Sequence, residues 1–355
     1  MRAAFDFSAH PLIVIWEVTR ACALACRHCR ADAIPCAHPE ELTPAESFLL
    51  IDQIARANPA VLVLTGGDPM HREDLVPLVE RASGAGLRVA LSPSATPRFL
   101  ASDLTALRKA GVHRVSMSID GATREKHDAF RGVPGTWDWT MEAVAKIRRA
   151  DLELQINTTF TRQNIGDFDA FEALLRKLDP VLWSVFQLVP TGQAQQSDLL
   201  TGEEMETLFL RLWELSRTVP FDIKTTEGQH YRRVAAQQDA RHGIRRQVPP
   251  VGVNDGRGFV FVSHTGEVYP SGFLPLSAGN VRRGELLDFY RHAPVFQQLR
   301  NEDGFGGKCG YCEFRRLCGG SRARAYAMTG DPLASEPLCT YQPERRGSRH
   351  EFAHA

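Results

Sequence analysis

Eight cysteines fall in two groups, at positions 22, 26, 29 and 36 and at 309, 312, 318 and 339. Cys22-x3-Cys26-x2-Cys29 sets three thiols within eight residues, so they can converge on one centre without help from distant chain. Thiolates are soft ligands that suit zinc, copper(I) or iron–sulfur clusters. A closed zinc site needs a fourth ligand, from His28 or Cys36, and His28 adjoins Cys29, which makes chelation of the same ion awkward. A [4Fe–4S] cluster on three cysteines instead keeps one iron open, the arrangement catalysis needs. Cys309-x2-Cys312-x5-Cys318-x20-Cys339 is a four-thiol set whose spacing suits a structural zinc ribbon and an iron–sulfur cluster equally. Cys36 is left over and reads as an ordinary thiol.

The elements around these groups alternate. Short apolar runs at 12–19, 61–65, 87–91, 114–119, 153–160 and 184–189 read as strands buried on both faces of a parallel sheet. Helical stretches lie between them. Thr43-Pro44-Ala45-Glu46 carries a cap, a proline at the first helical position and an acidic third residue. Gly84 and Gly86 end one helix and Gly111 the next. Six β-then-α units predict an α/β fold in which the sheet curls into a partial (β/α)6 barrel of TIM type. The working face of such a barrel is built at the C-terminal ends of its strands. The first cysteine loop falls there. So do Gly66-Gly67-Asp68-Pro69, Ser92 and Ser94, Ser118 and Asp120, and Asn157 and Thr159, which lie two apart and share one side of their strand. After about residue 200 the rhythm changes. Helical stretches at 202–218 and 228–240 and a polar, basic connection at 241–258 precede a hairpin, 258–264 and 267–269, turned at Thr265-Gly266.

The 355 residues carry zero formal net charge, without the basic excess of a non-specific nucleic-acid or anionic-membrane binder. No run of 18 apolar residues is present, so no membrane span is expected. The apolar stretch after Leu12 is interrupted by Glu17 and reads as a strand and not a signal peptide, which makes the reducing cytoplasm the expected compartment.

The cysteine loop, GGDP, Ser118-x-Asp120-Gly121 and the β/α order together resemble the radical S-adenosylmethionine (AdoMet) superfamily over roughly residues 12–200. The resemblance implies that Cys22, Cys26 and Cys29 hold a [4Fe–4S] cluster that binds and cleaves AdoMet. It implies that Gly66, Gly67, Asp68 and Pro69 stand where the family contacts the AdoMet amino group, with Asp68 in place of the usual Glu. By the same resemblance, Ser118 and Asp120 are expected to reach the ribose or carboxylate. Arg131 stands near the carboxylate, Asn157 and Thr159 near the ribose, and His28 and Val189 near the adenine.

The second cysteine group resembles the C-terminal SPASM extension of that superfamily, a Cys-rich iron–sulfur domain. Cys309, Cys312, Cys318 and Cys339 match the ligand set of its distal auxiliary [4Fe–4S] cluster. Ser271 and Ser321 stand where the other auxiliary cluster would have cysteines, so two clusters are expected in all, not three. The expected organisation is a core over 1–200, a helical connector over 201–257, a SPASM-like domain over 258–343 and a disordered tail over 344–355. Phrases at 269–282 and 318–333 resemble the branch that modifies tetrapyrrole propionates, with Arg282, Arg283, Arg322 and Arg324 as possible propionate partners and His230 or His264 as a possible porphyrin-iron ligand. A peptide substrate is the alternative, and a non-catalytic electron carrier a third reading. An external electron donor of ferredoxin or flavodoxin type is expected.

Overall fold

A computed structural model describes residues 5–245 and 252–344. Its strands are β1 (Ile13–Glu17), β2 (Val61–Thr65), β3 (Val89–Leu91), β4 (Val112–Ser118), β5 (Glu153–Phe160), β6 (Leu182–Gln187), β7 (Asp222–Thr226), β8 (Phe259–Val262), β9 (Glu267–Tyr269) and β10 (Gly279–Asn280). They form one sheet in the order β10-β9-β8-β1-β2-β3-β4-β5-β6-β7. Strands β1 to β7 are parallel neighbours in sequence order, joined by helices, and the sheet ends at β7 on one side and β10 on the other. It is the expected partial barrel.

Local sequence accounts for the helices that hold it. Thr43 accepts a hydrogen bond from the Glu46 amide while the Glu46 carboxylate returns one from the Thr43 amide, closing a capping box on helix 44–57. Thr201 and Glu204 do the same for helix 202–215. The outward faces of the strands supply the core: Val14, Trp16, Leu62, Leu64, Val115, Met117, Ile156, Phe160, Trp183 and Val185 are buried beneath the helices.

Three expectations change. The strands are not apolar on both faces, because Ser118, Asn157, Ser184 and Lys224 lie in register across β4 to β7, giving the concave face a polar row. The stretch expected to be a helical connector holds β7, an edge strand whose Asp-Ile-Lys-Thr-Thr sequence has one apolar residue and therefore little strand signal. The expected hairpin forms as β8 and β9, but β8 also pairs in parallel with β1, so the C-terminal segment continues the barrel sheet. Residues 345–355, most of the expected tail, lie outside the described residues, as do 246–251 of the connection after helix 231–241.

Candidate active site

A cavity of about 230 Å³ opens at the C-terminal ends of the strands. Cys22, Cys26 and Cys29 all line it. Their loop leaves β1 and folds back so that the Cys22 amide donates to Ile34 O at 2.9 Å. Two glycine turns grip this loop from behind. Gly67 N donates to Thr19 O at 2.8 Å and Asp68 N to Ala21 O at 2.7 Å. A Cβ on Gly67 would stand 2.5 Å from the carbonyl oxygens of Arg20 and Ala21, so the glycines are needed for contact with the cysteine loop itself. Gly192, at φ +61°, sits against Cys29 O in the same way, and the next amide, Gln193 N, bonds that oxygen at 2.9 Å.

The cavity gathers most residues singled out from the sequence: His28, Gly66, Gly67, Ser92, Ser94, Ser118, Arg131, Asn157, Thr159 and Val189. Asp68, Pro69 and Asp120 stand behind the wall. The Asp68 carboxylate accepts from Met70 N at 3.2 Å, Ser94 N at 3.3 Å and Thr96 Oγ1 at 3.1 Å, which ties the strand ends together. Pro69 is buried in the short turn that follows. Asp120 accepts from Thr159 N at 2.7 Å and pairs with Arg131 at 2.5 Å.

Arg131 places Nη1 3.6 Å from Cys26 Sγ. Burial works against its charge, but Asp120 and the Cys26 sulfur outweigh that and keep its pKa high. Burial pushes the Cys26 thiol up and Arg131 opposes the shift. Burial also pushes His28 down to about 4, leaving a neutral ring 4.5 Å from Phe130. This gives the cavity one apolar aromatic side and one cationic side beside the sulfurs.

Sequence reasoning missed four wall residues. His127 lies one helical turn before Arg131, and that i, i+4 spacing was the available signal. Arg30 lines the cavity while pairing with Glu17 at 2.5 Å and lying 4.7 Å from the Phe261 ring centroid. Phe186 and Phe273, 6.4 Å apart, complete an apolar wall, and Phe273 comes from far along the chain.

Cys309, Cys312, Cys318 and Cys339 line a second, smaller cavity with His230, Arg233, Lys308 and Glu336. Backbone amides already point at two sulfurs: Glu336 N is 3.3 Å from Cys309 Sγ and Gly320 N is 3.4 Å from Cys318 Sγ. Burial raises Cys312 to about 11 and Cys318 to about 12, so a metal would have to displace their protons. Among the described residues no three His, Cys, Asp or Glu side chains are drawn closely enough together to hold a single metal ion. That donor chemistry, soft thiols around a space with amide and guanidinium groups behind them, fits an iron–sulfur cluster at both places.

Arginines expected as propionate partners are placed otherwise. Arg324 is fully buried and bonds Glu336 at 2.8 Å, Leu188 O at 3.2 Å and Glu227 O at 2.9 Å. Arg322 is likewise fully buried and donates to Pro332 O and Ala334 O. Arg282 pairs with Glu46 on the surface, and Arg283 is exposed. None of the four lines the first cavity. His264 bonds Glu17 at 2.7 Å, and His230 belongs to the second cavity, so neither faces the first. Ser271 and Ser321 both donate to the buried Glu227, at 3.3 Å and 2.5 Å.

The profile of the Radical SAM superfamily matches residues 16–175. A protein of Oleidesulfovibrio alaskensis named AdoMet-dependent heme synthase is 40% identical over 354 residues, 97% of this chain and 91% of its own. One of the same name from Methanosarcina barkeri is 38% identical over 344 residues, 95% of this chain and 98% of its own. A PqqA peptide cyclase of Rhizobium meliloti is 28% identical over 348 residues, 94% of this chain and 88% of its own. Among solved structures, Streptococcus suis SuiB bound to S-adenosylmethionine superposes with a TM-score of 0.73 at 15% identity, covering 94% of this chain and 78% of that one, a likeness of fold.

Proposed function

The chain belongs to the radical SAM superfamily, and from that premise we propose that Cys22, Cys26 and Cys29 carry its [4Fe–4S] cluster, that AdoMet occupies the cavity beside them, and that the substrate is a tetrapyrrole modified at a propionate side chain. The protein is an enzyme of that superfamily and uses a [4Fe–4S] cluster and AdoMet. When bound, these would supply one electron to the sulfonium bond and a 5′-deoxyadenosyl radical that takes a hydrogen atom from the substrate, and the electron left when the propionate carboxyl departs as carbon dioxide would pass to a second cluster on Cys309, Cys312, Cys318 and Cys339.

The chain's own residues bind and orient. Arg131, locked by Asp120, offers its guanidinium to the AdoMet carboxylate beside Cys26. Ser118, Asn157 and Thr159 present polar groups from adjacent strand ends to the ribose. His28 and Val189 give the adenine an apolar surface. Asp68 acts by fixing the turn that carries Gly66 and Gly67. The apolar Phe186–Phe273 wall suits a flat macrocycle, and Arg30 is the guanidinium in reach of its carboxylates.

The second thiol set holds a second [4Fe–4S] cluster, and Ser271 and Ser321 ligate nothing because their hydroxyls are committed to Glu227. On this reading the core ends near residue 200 and the SPASM-like part begins near 258, with an outside ferredoxin or flavodoxin as electron donor. No described helix is long and apolar enough to cross a membrane; placement in the cytoplasm belongs to this proposal.

The observation that carries the substrate assignment is the 40% identity, nearly end to end, with a protein named as a heme synthase, against 28% for the peptide cyclase. The test is anaerobic incubation with AdoMet, a reductant and iron-coproporphyrin III. The porphyrin is expected to lose carboxyl mass. An unchanged porphyrin alongside 5′-deoxyadenosine formation would remove the tetrapyrrole assignment and leave the radical chemistry standing.

A further inference from the structure

His230 precedes helix 231–241 and is 1% exposed. Neither of its ring nitrogens has a hydrogen-bond partner. Its ring meets Phe209 edge-on at 4.7 Å, and it lines the same cavity as Cys309, Cys312, Cys318 and Cys339. In either protonation state the ring carries at least one N–H. A buried N–H without an acceptor is destabilising, so a position like this calls for a partner.

The polar neighbours leave little choice. Arg233, Arg324 and Lys308 are donors and cannot accept. Glu336 is the nearby carboxylate; its Oε1 accepts from Arg324 Nε at 2.8 Å and its Oε2 from Ser321 N at 2.7 Å, and neither His230 nitrogen bonds it. The four cysteine sulfurs are the soft acceptors that share the cavity wall with the ring. Cys309 and Cys318 already take backbone amides, and Cys309 the Arg322 guanidinium at 3.8 Å, so His230 would add a further side-chain donor to the same environment.

We infer that His230 donates its ring N–H to a sulfur of the second centre and thereby holds that centre's reduction potential up. The inference rests on the second-cluster reading above. Its physical basis is that a donor to sulfur stabilises the more negative, reduced state of a cluster. His230 is then a tuning residue and not a ligand.

The test uses the full chain with Cys22, Cys26 and Cys29 all replaced by Ala, so that only the second centre is observed. Iron content and an EPR-monitored redox titration are compared among this parent, His230→Phe, which keeps a ring against Phe209, and His230→Gln, which keeps an N–H donor. The expected result is roughly four irons in all three, a potential shifted downward in His230→Phe, and a potential restored toward the parent in His230→Gln. Equal potentials in the three proteins would overturn the inference. Loss of iron from both variants with iron retained by the parent would also overturn it, since His230 would then be a ligand or a prop. A parent without iron would instead sink the second-cluster reading on which the inference stands.

Discussion

Arg131 closes a 2.5 Å ion pair with Asp120 directly behind the thiol of Cys26. The pair joins the end of β4 to helix 124–131 and aims the guanidinium at the cavity. Asp120→Asn leaves the buried cation without its countercharge. Removing one partner of such a pair typically costs about 3–5 kcal/mol. The variant is therefore expected to unfold at lower urea and to bind AdoMet more weakly. Urea titration and calorimetric binding check this; unchanged values for both would show that the pair neither supports the fold nor positions Arg131.

Gly67→Ala should damage the first centre through its backbone. The new Cβ would meet two carbonyl oxygens at 2.5 Å, which cannot move without shifting the loop of Cys22. The expected outcome is loss of roughly four irons with the second cluster kept. Full iron content and an unaltered cluster spectrum would contradict it.

His127 predicts a pH effect. Asp120 N donates to its Nδ1 at 3.3 Å and Thr140 Oγ1 lies 3.3 Å from Nε2, an arrangement suited to the neutral ring. Burial lowers its pKa from 6.5 to about 4. Protonation then favours the unfolded chain, so this contribution is complete above pH 6.5 and declines as the pH falls toward 4. Stability measured at pH 7 and pH 5 should fall by about 2 kcal/mol more in the native protein than in His127→Gln. Parallel declines would show that His127 titrates normally.

Iron analysis separates two clusters from three. Ser321 Oγ and Ser271 Oγ are hydrogen-bonded to Glu227, whose pKa burial and the Asp255 charge push well up. Roughly eight irons per chain are expected. Twelve would mean that these serines support a further cluster.

Much of the site could be read locally. The cysteine loop, Gly66-Gly67 and Asn157/Thr159 are short patterns at strand ends, and the fold places them on one cavity as their order implied, with Asp68 and Pro69 behind its wall. What sequence concealed was non-local. Ser321 is 94 positions from the Glu227 it bonds, and nothing near Arg322 or Arg324 signals that both are fully buried. Phe273 reaches the cavity wall from the C-terminal segment because β8 pairs with β1, a contact no local pattern announces. β7 escaped notice because an edge strand facing a polar interior needs few apolar residues.

The central claim is that AdoMet cleavage at Cys22, Cys26 and Cys29 drives decarboxylation or fragment loss at a porphyrin propionate. Its most direct test counts 5′-deoxyadenosine and lost porphyrin carboxyl groups in one anaerobic reaction, with Cys26→Ala in parallel. Both products should rise together in the native protein, and neither should form in the variant. Porphyrin modified by Cys26→Ala, or deoxyadenosine that accumulates while the porphyrin stays intact, would contradict it.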